Sequence, residues 1–196
     1  MKPSEKSRRS FLKNAALLSA ASAFPSIITK AWGGPAPKTI KPGEKVNLAC
    51  IGIGNQGGSD VMSFDKTGLA NFVAFCDVDM GAPQTLAVLQ KFPNVPRFQD
   101  FRMMFDKMGS QIDAVCIGVP DHSHFAITMM ALALGKHVYV EKPMARTFNE
   151  VELMMKAAAK HPKVVTQMGN QGHSEANYFQ FKAWKEAGII KDVTAI

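Results

Sequence analysis

The chain has 196 residues, 46% of them apolar and 20% charged, with a formal net charge of +7. Residues 1–45 carry nine Lys and Arg against two Asp and Glu, whereas residues 46–196 carry fourteen of each, so the whole positive excess lies in the leader. The composition is that of a globular protein, and a neutral body without a clustered basic face argues against nucleic acid as a partner.

In the leader, Ser7-Arg8-Arg9-Ser10-Phe11-Leu12-Lys13 precedes a moderately apolar stretch over residues 14–28 and a small-residue exit, Ala31-Trp32-Gly33-Gly34. Charged head, apolar middle and small-residue exit describe an export signal. The paired arginines resemble the twin-arginine type, whose bacterial export machinery carries proteins already folded. Residues 1–33 are therefore expected to be a signal peptide leading to the periplasm, with cleavage after Ala31, and residues 34–45 a linker. The apolar middle is shorter than the roughly 20 residues of a span and is broken by Pro25, and no cysteine lies near the exit, so no stable membrane anchor is expected. Cys50, Cys76 and Cys116 are odd in number, lack C-x-x-C spacing and sit in apolar runs, which argues against a disulfide framework or zinc ribbon.

From Val46 onward, short apolar runs alternate with helical spacing. Strands are predicted over residues 46–52, 71–76, 114–119, 138–140 and 164–168, and helices over 59–66, 83–92, 100–108, 125–134, 149–160 and 176–187. Asp121 offers a cap for the helix that Gly135 ends. Near-continuous apolar strands separated by helices imply a parallel sheet covered on both faces. Residues 189–196 read as a further strand that starts and does not finish.

Gly52-Ile53-Gly54-Asn55-Gln56-Gly57 is G-x-G-x-x-G directly after the first strand and before a helix. The pattern alone is weak, but this context is the one a dinucleotide site needs. The first glycine allows the tight turn, the second lets backbone approach a pyrophosphate, and the third lets helix and strand pack closely. Asp77 ends the second strand, where a carboxylate can accept hydrogen bonds from ribose hydroxyls and repel the extra phosphate of NADP. NAD is the expected cofactor, with NADP possible; the plainer alternative is an ordinary glycine turn and a helix-capping aspartate.

Val119-Pro120-Asp121-His122-Ser123-His124 after the third predicted strand and Glu141-Lys142-Pro143 after the fourth, with the glycine motif, resemble the glucose-fructose oxidoreductase and inositol dehydrogenase family (Gfo/Idh/MocA). The resemblance implies an α/β fold. A doubly wound parallel Rossmann sheet over residues 46–169 would bind NAD(P), and residues 170–196 would open a C-terminal α/β domain built on an open, mostly antiparallel sheet. It implies an oxidoreductase of sugars, cyclitols or glycoside derivatives, with Lys142 catalytic, Glu141 on the nicotinamide side, Pro120 near the nicotinamide ribose and His124 shaping the cofactor pocket. It also implies a homo-oligomer formed through the second domain. Read without the family, Lys142 is a surface lysine in a loop; at a strand's carboxyl end its ammonium can still hydrogen-bond a hydroxyl being oxidised. His122 and His124 invite a metal, but no third ligand stands at suitable spacing, so none is expected.

Asn170, Gln171 and His173 follow the last predicted strand and suit hydrogen bonds to sugar hydroxyls, although a glycine-bearing turn with solvated polar groups explains them equally well. The family's catalytic histidine comes from the second domain, and the sequence stops at Ile196 where that domain's sheet should begin; a partial gene product is expected, binding nucleotide at best. The rival activity on this fold is an NAD-dependent glycoside hydrolase, and the family resemblance associates that activity with departure from Glu-Lys-Pro at the lysine, which is retained here.

Overall fold

A computed structural model describes residues 36–195. The expected signal peptide, including Arg8 and Arg9, lies outside the described residues, as does the start of the linker.

The elements run β1 (Val46–Ile51), α1 (Asn55–Thr67), β2 (Ala70–Cys76), α2 (Pro83–Lys91), β3 (Arg97–Phe98), α3 (Phe101–Met108), β4 (Ala114–Ile117), α4 (His124–Ala133), β5 (His137–Glu141), α5 (Phe148–Lys160), β6 (Thr166–Gly169) and α6 (Ala176–Glu186). Local chemistry sets several boundaries. Gly68 and Gly135 end α1 and α4 at φ +69° and +67°, a conformation that disfavours residues with a Cβ. Pro83 opens α2, where its missing N–H is no loss. Asp100 accepts the Arg102 amide at 2.9 Å at the start of α3. Thr147 and Glu150 form a reciprocal capping box on α5.

All strand pairs are parallel, and the sheet order is β3-β2-β1-β4-β5-β6. The order reverses between β1 and β4, and at such a reversal a crevice opens beyond the strands' carboxyl ends. One face is covered by α3, α4 and α5 over a core including Ile51, Val115, Ile117, Ile127 and Leu132. On the other face α1 and α2 pack on Cys50 and Phe75, with Val88 and Leu89 of α2 buried in this cluster. Burying each such side chain contributes about 1.5–3 kcal/mol. The three cysteines are free and buried, and burial pushes the Cys76 thiol up to about 12.

The structure corrects several expectations. The described residues alone do not cover the sheet fully on both faces: a cavity of about 770 Å³ lies at the amino ends of β1, β4 and β5, lined by Phe64, Ala114, His137, Tyr139 and Val165. The two-residue strand β3 is too short to leave an apolar run in the sequence. Helix α1 begins at Asn55 rather than at residue 59, and β6 covers Thr166–Gly169 rather than 164–168. Residues 189–195 form no strand. Asp121 does not cap α4; it enters a 3-10 turn, Asp121–Ser123, and Ser123 stands at the helix start with no side-chain cap bond.

Candidate functional site

The loop between β1 and α1 is built by contacts that exclude side chains. Gly52 has φ +79° and lies so close to the end of β4 that a Cβ there would fall 2.6 Å from the Gly118 carbonyl carbon and 2.8 Å from the Val119 nitrogen. A Cβ on Gly57 would run into the Gly52 carbonyl oxygen and lie 3.1 Å from the Gly118 oxygen. Gly52, Gly57 and Gly118 thus let β1, α1 and β4 approach at backbone distance. Gly54 is different: a Cβ there would meet the Gln84 side chain at 2.8 Å, and that chain can move. Packing does not explain the middle glycine, which fits a surface left bare for a pyrophosphate.

Gly54 gives α1 no side-chain cap, so the first helix amides, from Asn55 onward, are left facing the crevice with the helix's partial positive charge. Asn55 has φ +46°, a left-handed conformation that asparagine tolerates better than most residues. The bare loop, uncapped helix end and glycine packing fit the pyrophosphate of a dinucleotide.

Asp77, at the end of β2, accepts the Ile53 amide at 2.9 Å through one carboxylate oxygen and the Asp79 amide at 3.1 Å through the other. The structure therefore brings the predicted ribose carboxylate onto the glycine loop, half-buried. Gln56 donates its side-chain amide to Asp60 at 2.9 Å.

Beyond β4 and β5 a second cluster forms. Pro120, Asp121, His122 and Arg146 line a small cleft. The His124 ring is 1% exposed, with Nε2 2.8 Å from the Val119 carbonyl oxygen and Nδ1 2.6 Å from that of Pro143. The ring that sequence spacing paired with His122 thus lies in the core beneath the loop, while His122 is exposed. Lys142 is exposed at the end of β5, and its ammonium makes no ion pair among the described residues. The Lys142–Pro143 peptide is cis.

Glu141 is 3% exposed and points under β5 and β6. It accepts from Gln171 Nε2 at 2.7 Å and from the Lys142 amide at 3.3 Å. Gly169 makes room for it, since a Cβ there would fall 2.6 Å from the Tyr139 hydroxyl and collide with the carboxylate. Gln171 thereby anchors a 3-10 turn, Gln171–His173, that leaves β6, with its amide engaged. Asn170 and His173 remain exposed, and the His173 ring stacks on Tyr178 with centroids 5.0 Å apart.

Sequence reasoning missed Asp60, Tyr139 and Gly169. Asp60 is 7% exposed, and one carboxylate oxygen is buried without a hydrogen-bond partner among the described residues. Burial raises its carboxyl from 3.8 to about 6, opposed by the Gln56 hydrogen bond and reinforced by Glu141. The folded protein binds this proton at higher pH than the unfolded chain, so stability from Asp60 is lowest above about pH 6 and is regained as pH falls towards 4. Asp60→Asn is expected to raise stability at pH 8 by about 1–2 kcal/mol, allowing for screening. That corresponds to a rise of roughly 3–8 °C in Tm. Melting curves of both proteins at pH 8 and pH 4 test this: the gain should disappear at the lower pH, and an equal gain at both would contradict a charge origin.

Residues 46–169 match the family model described as an oxidoreductase family with an NAD-binding Rossmann fold. The chain belongs to that family, Gfo/Idh/MocA, and its Rossmann domain is NAD-binding. Among its relatives is inositol 2-dehydrogenase of Salmonella typhimurium, 26% identical over 142 residues, covering 71% of this chain and 41% of that protein. Glycosyl hydrolase family 109 protein 2 of a Shewanella species is 27% identical over 161 residues, covering 74% of this chain and 35% of that protein. The crystal structure of scyllo-inositol dehydrogenase from Lactobacillus casei with bound NAD(H) and scyllo-inositol superposes with a TM-score of 0.64 at 27% identity, covering 77% of this chain and 44% of that one. The chain thus spans less than half the length of these relatives.

Proposed function

We propose that the whole protein oxidises a hydroxyl group of a sugar, cyclitol or glycoside derivative, with Lys142 assisting departure of the hydroxyl proton. The observation that carries this is the placement of Lys142: an exposed ammonium, without an ion pair among the described residues, at the carboxyl end of β5, two strands from β1 and beside the reversal of strand order where ligands bind. NAD, when bound, supplies the hydride acceptor. Gly52, Gly54, Asn55 and Gly57 would hold its pyrophosphate, with Gln56 steadying the helix start through Asp60. Asp77 would take the ribose hydroxyls. Pro120 would border the nicotinamide ribose, and Glu141 and His124 would shape the pocket from below. Lys142 would donate a hydrogen bond to the substrate oxygen and stabilise the charge that develops there as the hydroxyl proton passes to a base, the histidine that the family resemblance assigns to the second domain. Asn170 and His173, exposed beyond β6, are left to meet substrate hydroxyls where residues 170–196 open a second domain.

The glycoside hydrolase reading has one specific support, the similarity to a family 109 glycosyl hydrolase. Retention of Lys142 favours the dehydrogenase. A panel of myo-inositol, scyllo-inositol, galactose, glucose and their aryl glycosides, incubated with NAD, separates the two. Stoichiometric NADH from a free polyol is expected; release of the aryl group with no net NADH would instead establish the hydrolase. The twin-arginine pattern at Arg8-Arg9 supports export to the periplasm after folding, which suits an enzyme that must take up its dinucleotide in the cytoplasm.

A further inference from the structure

The β4–β5 ladder ends at the register pair Ile117↔Val140. Among the described residues no backbone hydrogen bond joins the segment after β4 to the segment after β5 beyond that pair. Both segments nevertheless face the crevice, one carrying Pro120 and the other Lys142. They are joined by a side chain from the first turn of α4: His124, 2.8 Å from the Val119 carbonyl oxygen and 2.6 Å from that of Pro143.

We infer that His124 is a positioning residue for Lys142, tying the Lys142–Pro143 turn to the end of β4; the inference rests on the role of Lys142 proposed above. Carbonyl oxygens only accept, so each contact is a hydrogen bond when the ring nitrogen there carries a proton. A neutral imidazole donates from one nitrogen at a time and the imidazolium from both. At 1% exposure the ring reaches neither substrate nor solvent, so its influence must pass through the backbone. On the other side of Lys142, the Glu141 carboxylate is held by Gln171 at 2.7 Å. The two neighbours of Lys142 are thereby each held by a side chain from another segment, while its own side chain stays exposed and free to reach a ligand. Fixing the backbone of a reacting group in this way is worth a large rate factor, because a displacement of about 1 Å can cost about 100-fold.

The test uses the protein as its gene encodes it, with His124→Phe, which fills the site without a donor, and His124→Asn, which can reach one carbonyl. In His124→Phe the amides of Lys142 and Arg146, which donate to Glu141 and Glu150, should exchange with solvent at least about tenfold faster. Turnover of the fastest polyol in the panel should fall about 100-fold. His124→Asn should recover part of the turnover. With Lys142→Met in place, adding His124→Phe should cost little more, since the two changes remove one function. Unchanged exchange at Lys142 and Arg146 in a folded variant would overturn the inference, as would losses that multiply in the double variant. Should the Phe variant fail to fold, His124→Asn carries the exchange measurement alone. Full turnover in Lys142→Met with His124 intact would overturn the reading of Lys142 itself and the inference with it, a result no His124 variant can mimic.

Discussion

Replacing Lys142 by methionine is expected to lower turnover by about 10²- to 10⁴-fold, the usual contribution of a positioned proton-transfer group. The melting temperature and the Kd for NADH should stay close to those of the parent. The separation follows from the surroundings of the side chain. Lys142 is exposed, its ammonium makes no ion pair among the described residues, and its backbone is held by the neighbours Glu141 and Pro143 rather than by its own ammonium. Methionine has a similar length and keeps the apolar stem. Steady-state kinetics with melting and NADH titration check this, and unchanged turnover would remove the lysine from the mechanism.

Gly52→Ala should act on the fold itself. Alanine at φ +79° is strained by about 1–2 kcal/mol. The added Cβ would also stand 2.6 Å from the Gly118 carbonyl carbon and 2.8 Å from the Val119 nitrogen, backbone atoms that can move only with β4. The total is expected to be about 3–5 kcal/mol, a large part of the roughly 5–15 kcal/mol that stabilises a domain. Gly68→Ala is the control, since Gly68 has φ +69° with nothing within 4 Å of the position of a Cβ. It should lose about 1 kcal/mol and retain NADH binding. Denaturant unfolding of the two variants separates strain from collision; equal losses would mean that the close approach of β1 and β4 contributes nothing.

The alternation of apolar strands and helices was legible because parallel strands buried on both sides leave apolar runs such as Leu48-Ala49-Cys50-Ile51. The glycine motif and Asp77 were legible because their order along the chain sets their order in space: strand, turn, helix, strand end. The start of α1 was not. Gly54-Asn55-Gln56-Gly57-Gly58 is poor in helix propensity, yet Gly57 and Gly58 are required inside the helix by contacts with Gly52 and Ile53, and packing overrides propensity. Asp60 reads as a solvated acid on a helix, and only the fold shows that its face turns towards Glu141. His122 and His124 read as a pair two residues apart, but the 3-10 turn ends between them and sends one ring outward and the other into the core. Gln171 reads as a donor awaiting a sugar; that Glu141 takes its amide depends on β5 and β6 being neighbours, which local sequence does not encode.

The most direct measurement is titration of the protein with NADH and, separately, NADPH, followed by nicotinamide fluorescence. The glycine loop and Asp77 predict saturable binding of NADH, at least about tenfold tighter than NADPH because the carboxylate that suits two ribose hydroxyls repels a 2′-phosphate. Absence of NADH binding at millimolar concentration, or a preference for NADPH, would contradict the site described for the β1–α1 loop.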